Sequence, residues 1–458
     1  MTTLAQQLGE IVTGLAFDRL SPAAVDTVKR GFTDLVGVLL AGREEMVVDV
    51  ARRFTSRTAP AWSEAVALSD GRRTEVSTAA FLDAVAGHAL DFDDMALDGH
   101  PSVVLAPVAF AMAQREERSG SDAIAAYATG YAVWAALLDM LDEPIHTKGW
   151  HPTATIGTIA AAAVAARLRD LDAETSARAM AAAASMAAGI VANFGTMMKP
   201  LQAGFAARNG IFAAELAACG ATASLDALES RHGLIAALSP SGHIKPSRLE
   251  RIELEIVQRG LNVKLYPVCY AMHRIIDATL QLRADYSIRP DDVEEVEAAL
   301  GSGQLSMLRE GLPSTVAEAR FSTGFAVACA LLKGRVGLPE MNNAFVRSAA
   351  ARQLMSRVRI RALVERDERQ PLFSPFDQVT VRLRNGAVLK SEKVIAARGS
   401  MQRPVGWDGL WDKFAQCAKA GTPQLDARPF FDWLRRLDEH KSIQGFCASF
   451  GAKVPLAV

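Results

Sequence analysis

GWHPTATIGTIAAAAVAA, residues 149–166, begins as a loop and runs into a helix built mostly of alanine. Methyl side chains let helix axes approach closely, so such a helix belongs in the middle of a helical bundle. A second alanine-rich helix is predicted over Glu174–Ala192. Its most apolar run, Ala179–Ala192, is too short to span a bilayer, which takes about 20 apolar residues. Alanine helices leave little bulk to line a pocket, so a pocket beside them must be lined by residues at their ends. Those ends are His151-Pro152-Thr153 and Asn193–Pro200.

Upstream, Leu4, Leu8, Ile11, Val12 and Leu15 fall at helical spacing. Ser21-Pro22 opens a second helix through Val25, Val28, Phe32, Leu35 and Leu39. Helices are predicted over 45–55, 78–90, 103–118 and 121–141. Past residue 260 the pattern changes. Val293–Leu300, Val358–Val364 and Gln378–Val394 carry β-branched alternation, and Asn385-Gly386 turns the last of them into a hairpin. After Gly399 helices return, with Trp411, Phe414, Cys417, Phe430, Trp433 and Leu437 on their apolar faces. The expected fold is mainly α: a large helical domain from both chain ends (1–261 and 398–458) and a smaller α+β domain (262–397).

The chain has 458 residues and a net charge of −1, so no nucleic acid and no anionic membrane surface is expected as a partner. Its five cysteines are scattered, with no CxxC pair, which fits reduced thiols in a cytoplasm rather than a disulfide or zinc framework. The N-terminal segment lacks a basic region followed by an apolar one, so no signal peptide is expected.

Four stretches can carry chemistry. GHALDFDDMALDGHPSVVLAP (87–107) packs His88, Asp91, Asp93, Asp94, Asp98 and His100 between apolar helices. Burying charge is costly, so this is either a site or a solvated loop, with Ser102 as a helix cap. Asp and His this close suggest a metal, yet neither HExxH nor EF-hand spacing is present, and no metal is expected. His151 is either a site residue or a capping interaction. Lys199, at an apolar helix junction, is either a desolvated base or a snorkelling side chain. In KLYPVCYAMH, Cys269 and His273 lie four apart, on one face if helical. With no GxGxxG, Walker loop or GxSxG, a nucleotide cofactor and a serine hydrolase are not expected.

Five motifs in order resemble the MmgE/PrpD family: HALDFDD with HPS (88–102), GWHPT with its alanine helix (149–166), KPLQAGFAARNG (199–210), KLYPVCYAMH (264–273) and ARFSTGF (319–325). The family includes 2-methylcitrate dehydratase, cis-aconitate decarboxylase and iminodisuccinate epimerase. The resemblance implies a helical domain with an α+β lid, a site between them, a homodimer, no organic cofactor and a small carboxylate substrate. By motif position it implies that Asp91, His100, His151 and Lys199 are catalytic. Lys264, His273, Cys269, Met95, Gln202, Ser322 and Phe325 are then the substrate-binding candidates.

The chain departs from the family's lyases at several positions. Met95 stands where they carry threonine, Gly324-Phe325 where they carry Gln-Tyr, and Gln202 where a histidine is common. Cys269 falls where the decarboxylase has a further active-site histidine. A dehydratase must protonate departing hydroxide and a decarboxylase a carbanion, and the lost hydroxyls weaken both. Epimerisation needs only a base and an acid on opposite faces of a Cα–H, with cations to hold the enolate. The expectation is therefore a cofactor-independent enzyme that abstracts a Cα proton from a small di- or tricarboxylate. It leans to epimerisation of an iminodisuccinate-like substrate, with hydro-lyase or decarboxylase chemistry next. The rival classes are a catalytically decayed binding protein and a metal-dependent hydrolase.

Overall fold

In the computed structural model, which describes residues 2–57, 62–246, 249, 254–368 and 370–450, the chain divides into two compact units. One comprises Met1–Ile190, Met198–Leu261 and Gly406–Val458; the other comprises Val191–Met197 and Asn262–Val405. The fold is 55% helical with only small sheets, so it is mainly α.

The first unit is a helical bundle. Its α-helices up to Ala218 are α1 (Leu4–Gly14), α2 (Pro22–Gly42), α3 (Met46–Thr55), α4 (Val76–His88), α5 (Pro101–Arg115), α6 (Gly120–Asp139), α7 (Ile156–Leu168), α8 (Ala173–Ala184) and α9 (Met198–Ala218). Caps set their starts. Thr3 and Gln6 form a capping box on α1, Ser21 caps α2 ahead of Pro22, and Asp172 caps α8. Each cap contributes about 1 kcal/mol. Helices α4 to α7 are buried nearly all round, as expected of helices in a bundle centre. Helix α9 packs on α4, α7 and α8. Its approach to α7 depends on Gly210, where a Cβ would lie 2.3 Å from the Ala161 Cβ. The late helix Trp407–Gly421 packs back on α2, with Phe414 seated on Gly37.

Three local expectations need correction. The helix predicted over Glu174–Ala192 ends at Ala184, and the chain then turns back so that the Gly189 carbonyl accepts from the His151 N–H at 3.0 Å. Gly189 permits this approach, because a Cβ there would sit 2.3 Å from the Ala154 Cβ. Ser102 is not a helix cap: α5 starts at Pro101, and the Ser102 hydroxyl turns inward to Asp94 and Tyr127. Cys269 and His273 do not share a helix face. A 3-10 turn, Tyr270–Met272, separates them, and the helix His273–Asp285 begins only at the histidine.

The second unit carries a four-stranded sheet. Val293–Gly301 pairs in parallel with Val358–Leu363 and antiparallel with Gln378–Leu383, which in turn pairs with Val388–Lys390. Gly386 has φ 87°, and with Asn385 it makes the tight turn of the last pair. Helices His273–Asp285 and Thr323–Lys333 pack on the sheet and on each other.

Candidate active site

The loop between α4 and α5 is buried, so the solvated-loop reading of its charges fails. His88, Asp91, Asp93, Asp94 and His100 are all at most 8% exposed. Asp91 adopts a left-handed conformation (φ 51°) and turns the chain out of α4, its N–H donating to the His88 carbonyl. Beyond it Asp93 points between two histidines. Its Oδ2 lies 2.9 Å from Nδ1 of His88 and 3.0 Å from Nδ1 of His100. His100 Nδ1 is also 2.9 Å from the Asp94 carbonyl. Carboxylates and carbonyls can only accept, so Nδ1 carries the hydrogen in both rings.

The electrostatics follow from burial. Burial alone would raise Asp93, but His88 and His100 outweigh it and hold the carboxyl well below its usual range. Burial lowers His88 despite Asp93, so it sits neutral, donating from Nδ1. Burial, then Lys199 and His88, holds His151 well below the ordinary imidazole value.

Lys199, in the first turn of α9, brings its ammonium to 2.6 Å from Asp91 Oδ1, both side chains about 5% exposed or less. His100 Nε2 is 3.7 Å from the same oxygen. His151 is 1% exposed and stacks on His88 with ring centres 6.1 Å apart. Its Nδ1 is 2.7 Å from Gln202 Oε1, one turn along α9 from Lys199. Asp91, His100, His151, Lys199 and Gln202 are thus gathered in the first unit, and Met95 is buried in the same loop.

A second buried layer, which the sequence reading missed, supports this loop. Asp94 bonds the Ser102 hydroxyl, which lies 2.7 Å from the Tyr127 hydroxyl. Burial and Asp34 push Asp94 well up. Lys413, from the helix Trp407–Gly421, is 2.6 Å from Asp34 Oδ1 and donates to the Phe92 carbonyl at 2.7 Å. His88 and Asp93 belong to the acid-rich stretch 87–107, where nothing in the sequence sets them apart from their neighbours. His146 and Lys413 carried no pattern that marked them.

The other five predicted residues lie in the second unit. Lys264 and His273 are wholly buried, and His273 packs between the rings of Tyr266 and Tyr270. The Cys269 N–H donates to the Arg320 carbonyl. Ser322 caps the helix Thr323–Lys333, its hydroxyl accepting from the Phe325 N–H, and Phe325 packs edge-on against Phe345.

His88, Asp91, Asp93 and His100 offer ligand atoms within 4.8 Å of one another, the one metal-ligand set of this kind among the described residues. A cation there would meet the Lys199 ammonium already 2.6 Å from one of its ligands.

His146 gives a pH test of how dry this region is. Burial, then Lys199 and His100, lowers it to about 3. The unfolded chain binds its proton below about pH 6.5 and the folded chain does not, so the stability it permits is present above pH 6.5 and is lost as pH falls. From pH 7 to 5 the wild type should therefore lose about 2 kcal/mol more than His146→Gln. Urea unfolding at the two pH values measures this; equal losses would mean that His146 takes up a proton freely in the folded state.

Comparison with known proteins adds independent findings. The MmgE/PrpD N-terminal domain matches residues 6–247 and the MmgE/PrpD C-terminal domain matches residues 266–435. Cis-aconitate decarboxylase of Homo sapiens is 26% identical over 426 residues, covering 90% of this chain and 87% of its own length. The Mus musculus cis-aconitate decarboxylase is 25% identical over 430 residues, covering 90% and 86%. That of Aspergillus terreus is 28% identical over 203 residues, 41% of each chain. No helix among the described residues is long and apolar enough to cross a membrane. Two domain matches that together take in most of the chain, in the order the motifs stand, make it a member of the MmgE/PrpD family.

Proposed function

We propose that the chain is a lyase acting on a small polycarboxylate, at a carbon next to a carboxylate group, without an organic cofactor. The observation that carries this reading is the buried group Asp91, Lys199, His100 and His151, with Lys199 ion-paired at 2.6 Å and His151 held neutral. Likeness to cis-aconitate decarboxylases over 90% of the chain supports lyase chemistry.

In a dehydration, Nε2 of His151 takes the Cα proton. The electron pair moves into the adjacent carboxylate, which the Lys199 ammonium holds. It then forms the alkene as hydroxide leaves with a proton from the Lys199 ammonium, or from Nε2 of His100 in its imidazolium form. In a decarboxylation, the C–C bond breaks, CO₂ departs, and the same acids protonate the carbanion. The two domains and the carboxylate-binding roles of Lys264, His273, Cys269, Ser322, Met95 and Phe325 belong to this proposal, as does the homodimer. Epimerisation is the second reading, favoured by the missing hydroxyls at Met95 and Phe325.

Proton NMR in D₂O with cis-aconitate, methylcitrate, citrate, iminodisuccinate and malate tests it. A new alkene signal or loss of CO₂, unchanged by a strong chelator, is expected. Deuterium at Cα without an alkene would mean epimerisation. Chelator-sensitive turnover would mean a metal on His88, Asp91, Asp93 and His100. Silence across the panel would overturn the reading.

A further inference from the structure

We infer that Gln202 is a positioning residue: its side-chain oxygen fixes His151 in the tautomer with hydrogen on Nδ1, and so presents Nε2 as the proton acceptor. The inference rests on the proposed reaction and names what prepares its base.

The argument is one of hydrogen-bond direction. An amide can turn either end to a ring, and an imidazole can protonate either nitrogen, so the 2.7 Å contact of His151 Nδ1 with Gln202 does not by itself say which donates. A third group decides it. The Gln202 Nε2 donates to the Ile190 carbonyl at 3.1 Å, and a carbonyl can only accept. The NH₂ end must face Ile190, the oxygen must face His151, and Nδ1 must carry the hydrogen.

The surroundings keep this arrangement. Gln202 is 4% exposed and His151 1%. A Cβ at Gly189 would come within 3.0 Å of Gln202 Oε1, so the residue beside the amide has to be small. The His151 N–H donates to the Gly189 carbonyl, tying the ring's own backbone to the same turn. Gln202 follows Lys199 by three residues, so α9 presents both on one face.

The charge of the partner also matters. His88 and His100 both lean on the Asp93 carboxylate, whereas His151 leans on an uncharged amide. Among the ionisable groups that act on His151 are Lys199 from α9, His88 from α4 and His146 from the turn Ile145–Lys148. All three disfavour an imidazolium; the Gln202 hydrogen bond works the other way but brings no negative charge. A carboxylate at position 202 would add one.

Gln202→Met and Gln202→Glu test this by two readouts. Long-range ¹H–¹⁵N correlation on histidine-labelled protein reports the His151 tautomer without any substrate. Hydrogen on Nδ1 is expected in the wild type, and a shift toward hydrogen on Nε2 in Gln202→Met. Kinetics on the substrate found above should show kcat down tenfold or more in Gln202→Met with KM little changed. Gln202→Glu should move the acid limb of the kcat/KM profile up by about one to three pH units. Wild type with hydrogen on Nε2, or a tautomer unmoved by Gln202→Met, overturns the inference whether or not any substrate is turned over. A tautomer that moves while kcat and the pH profile stay put overturns His151 as the base. The proposed reaction then fails while the ring assignment stands.

Discussion

Lys199→Met abolishes measurable turnover or lowers it by about a hundredfold to ten-thousandfold, the range for loss of a positioned proton-transfer group. The loss falls on kcat at least as much as on KM, because the ammonium holds charge that develops during reaction. The same substitution leaves Asp91 buried without its cation. Breaking a buried pair on one side costs about 3–5 kcal/mol, so inactivity alone would not separate chemistry from folding. Asp91→Asn with Lys199→Met removes both charges and should recover most of the stability while staying inactive. Stability is read by urea unfolding and chemistry by exchange of the Cα proton in D₂O. A folded double variant that still exchanges that proton removes lysine from the mechanism.

Lys413→Met carries the second large effect, at a position with no polar contact to the predicted catalytic residues. Lys413 is 5% exposed and Asp34 2%. Its ammonium joins Asp34, lies 4.2 Å over the Phe92 ring, and holds the Phe92 carbonyl between Asp91 and Asp93. Burial already pushes Asp34 up, against the pull of Lys413, so without the lysine this carboxyl must take up a proton or stay charged at high cost. A loss of about 3–5 kcal/mol is expected, with kcat/KM falling as the loop loosens. Asp34→Asn in the same chain should restore much of the stability and little of the activity. If the activity returns as well, Phe92 needs no anchor and the lysine is there only to neutralise Asp34.

The mainly helical fold was legible because its signals are local. Ser21-Pro22 and the apolar spacing after it give α2, and the alanine run gives α7. The Asn385-Gly386 hairpin was legible for the same reason. The parallel pairing of Val293–Gly301 with Val358–Leu363 was not, since no turn joins those strands.

Within the site, the acid-rich loop stood out because charge between apolar helices is unusual, and Lys199 because it is a lone charge at an apolar helix junction. Asp93 could not be told from its neighbours by sequence, since its distinction is that its carboxylate meets Nδ1 of both histidines. Lys413 looked like the polar face of an amphipathic helix, because its partner Asp34 lies near the other end of the chain. Gln202 was noted as a departure from a pattern. Its hydrogen-bond direction came only from the Ile190 carbonyl, which the sequence had placed inside a continuous helix.

That the clamp on Phe92 comes from so late a helix has a consequence for synthesis. A ribosome exposes α1 to α9, with His100 and Lys199 beside Asp91, well before Trp407–Gly421 leaves the exit tunnel. Until then Asp34 has no cation and Phe92 no anchor, so the nascent bundle waits with a hydrated, unlocked loop. The loop can be fastened only once Trp407–Gly421 has emerged, and this long-range step, rather than the growth of any helix, should set the pace of maturation.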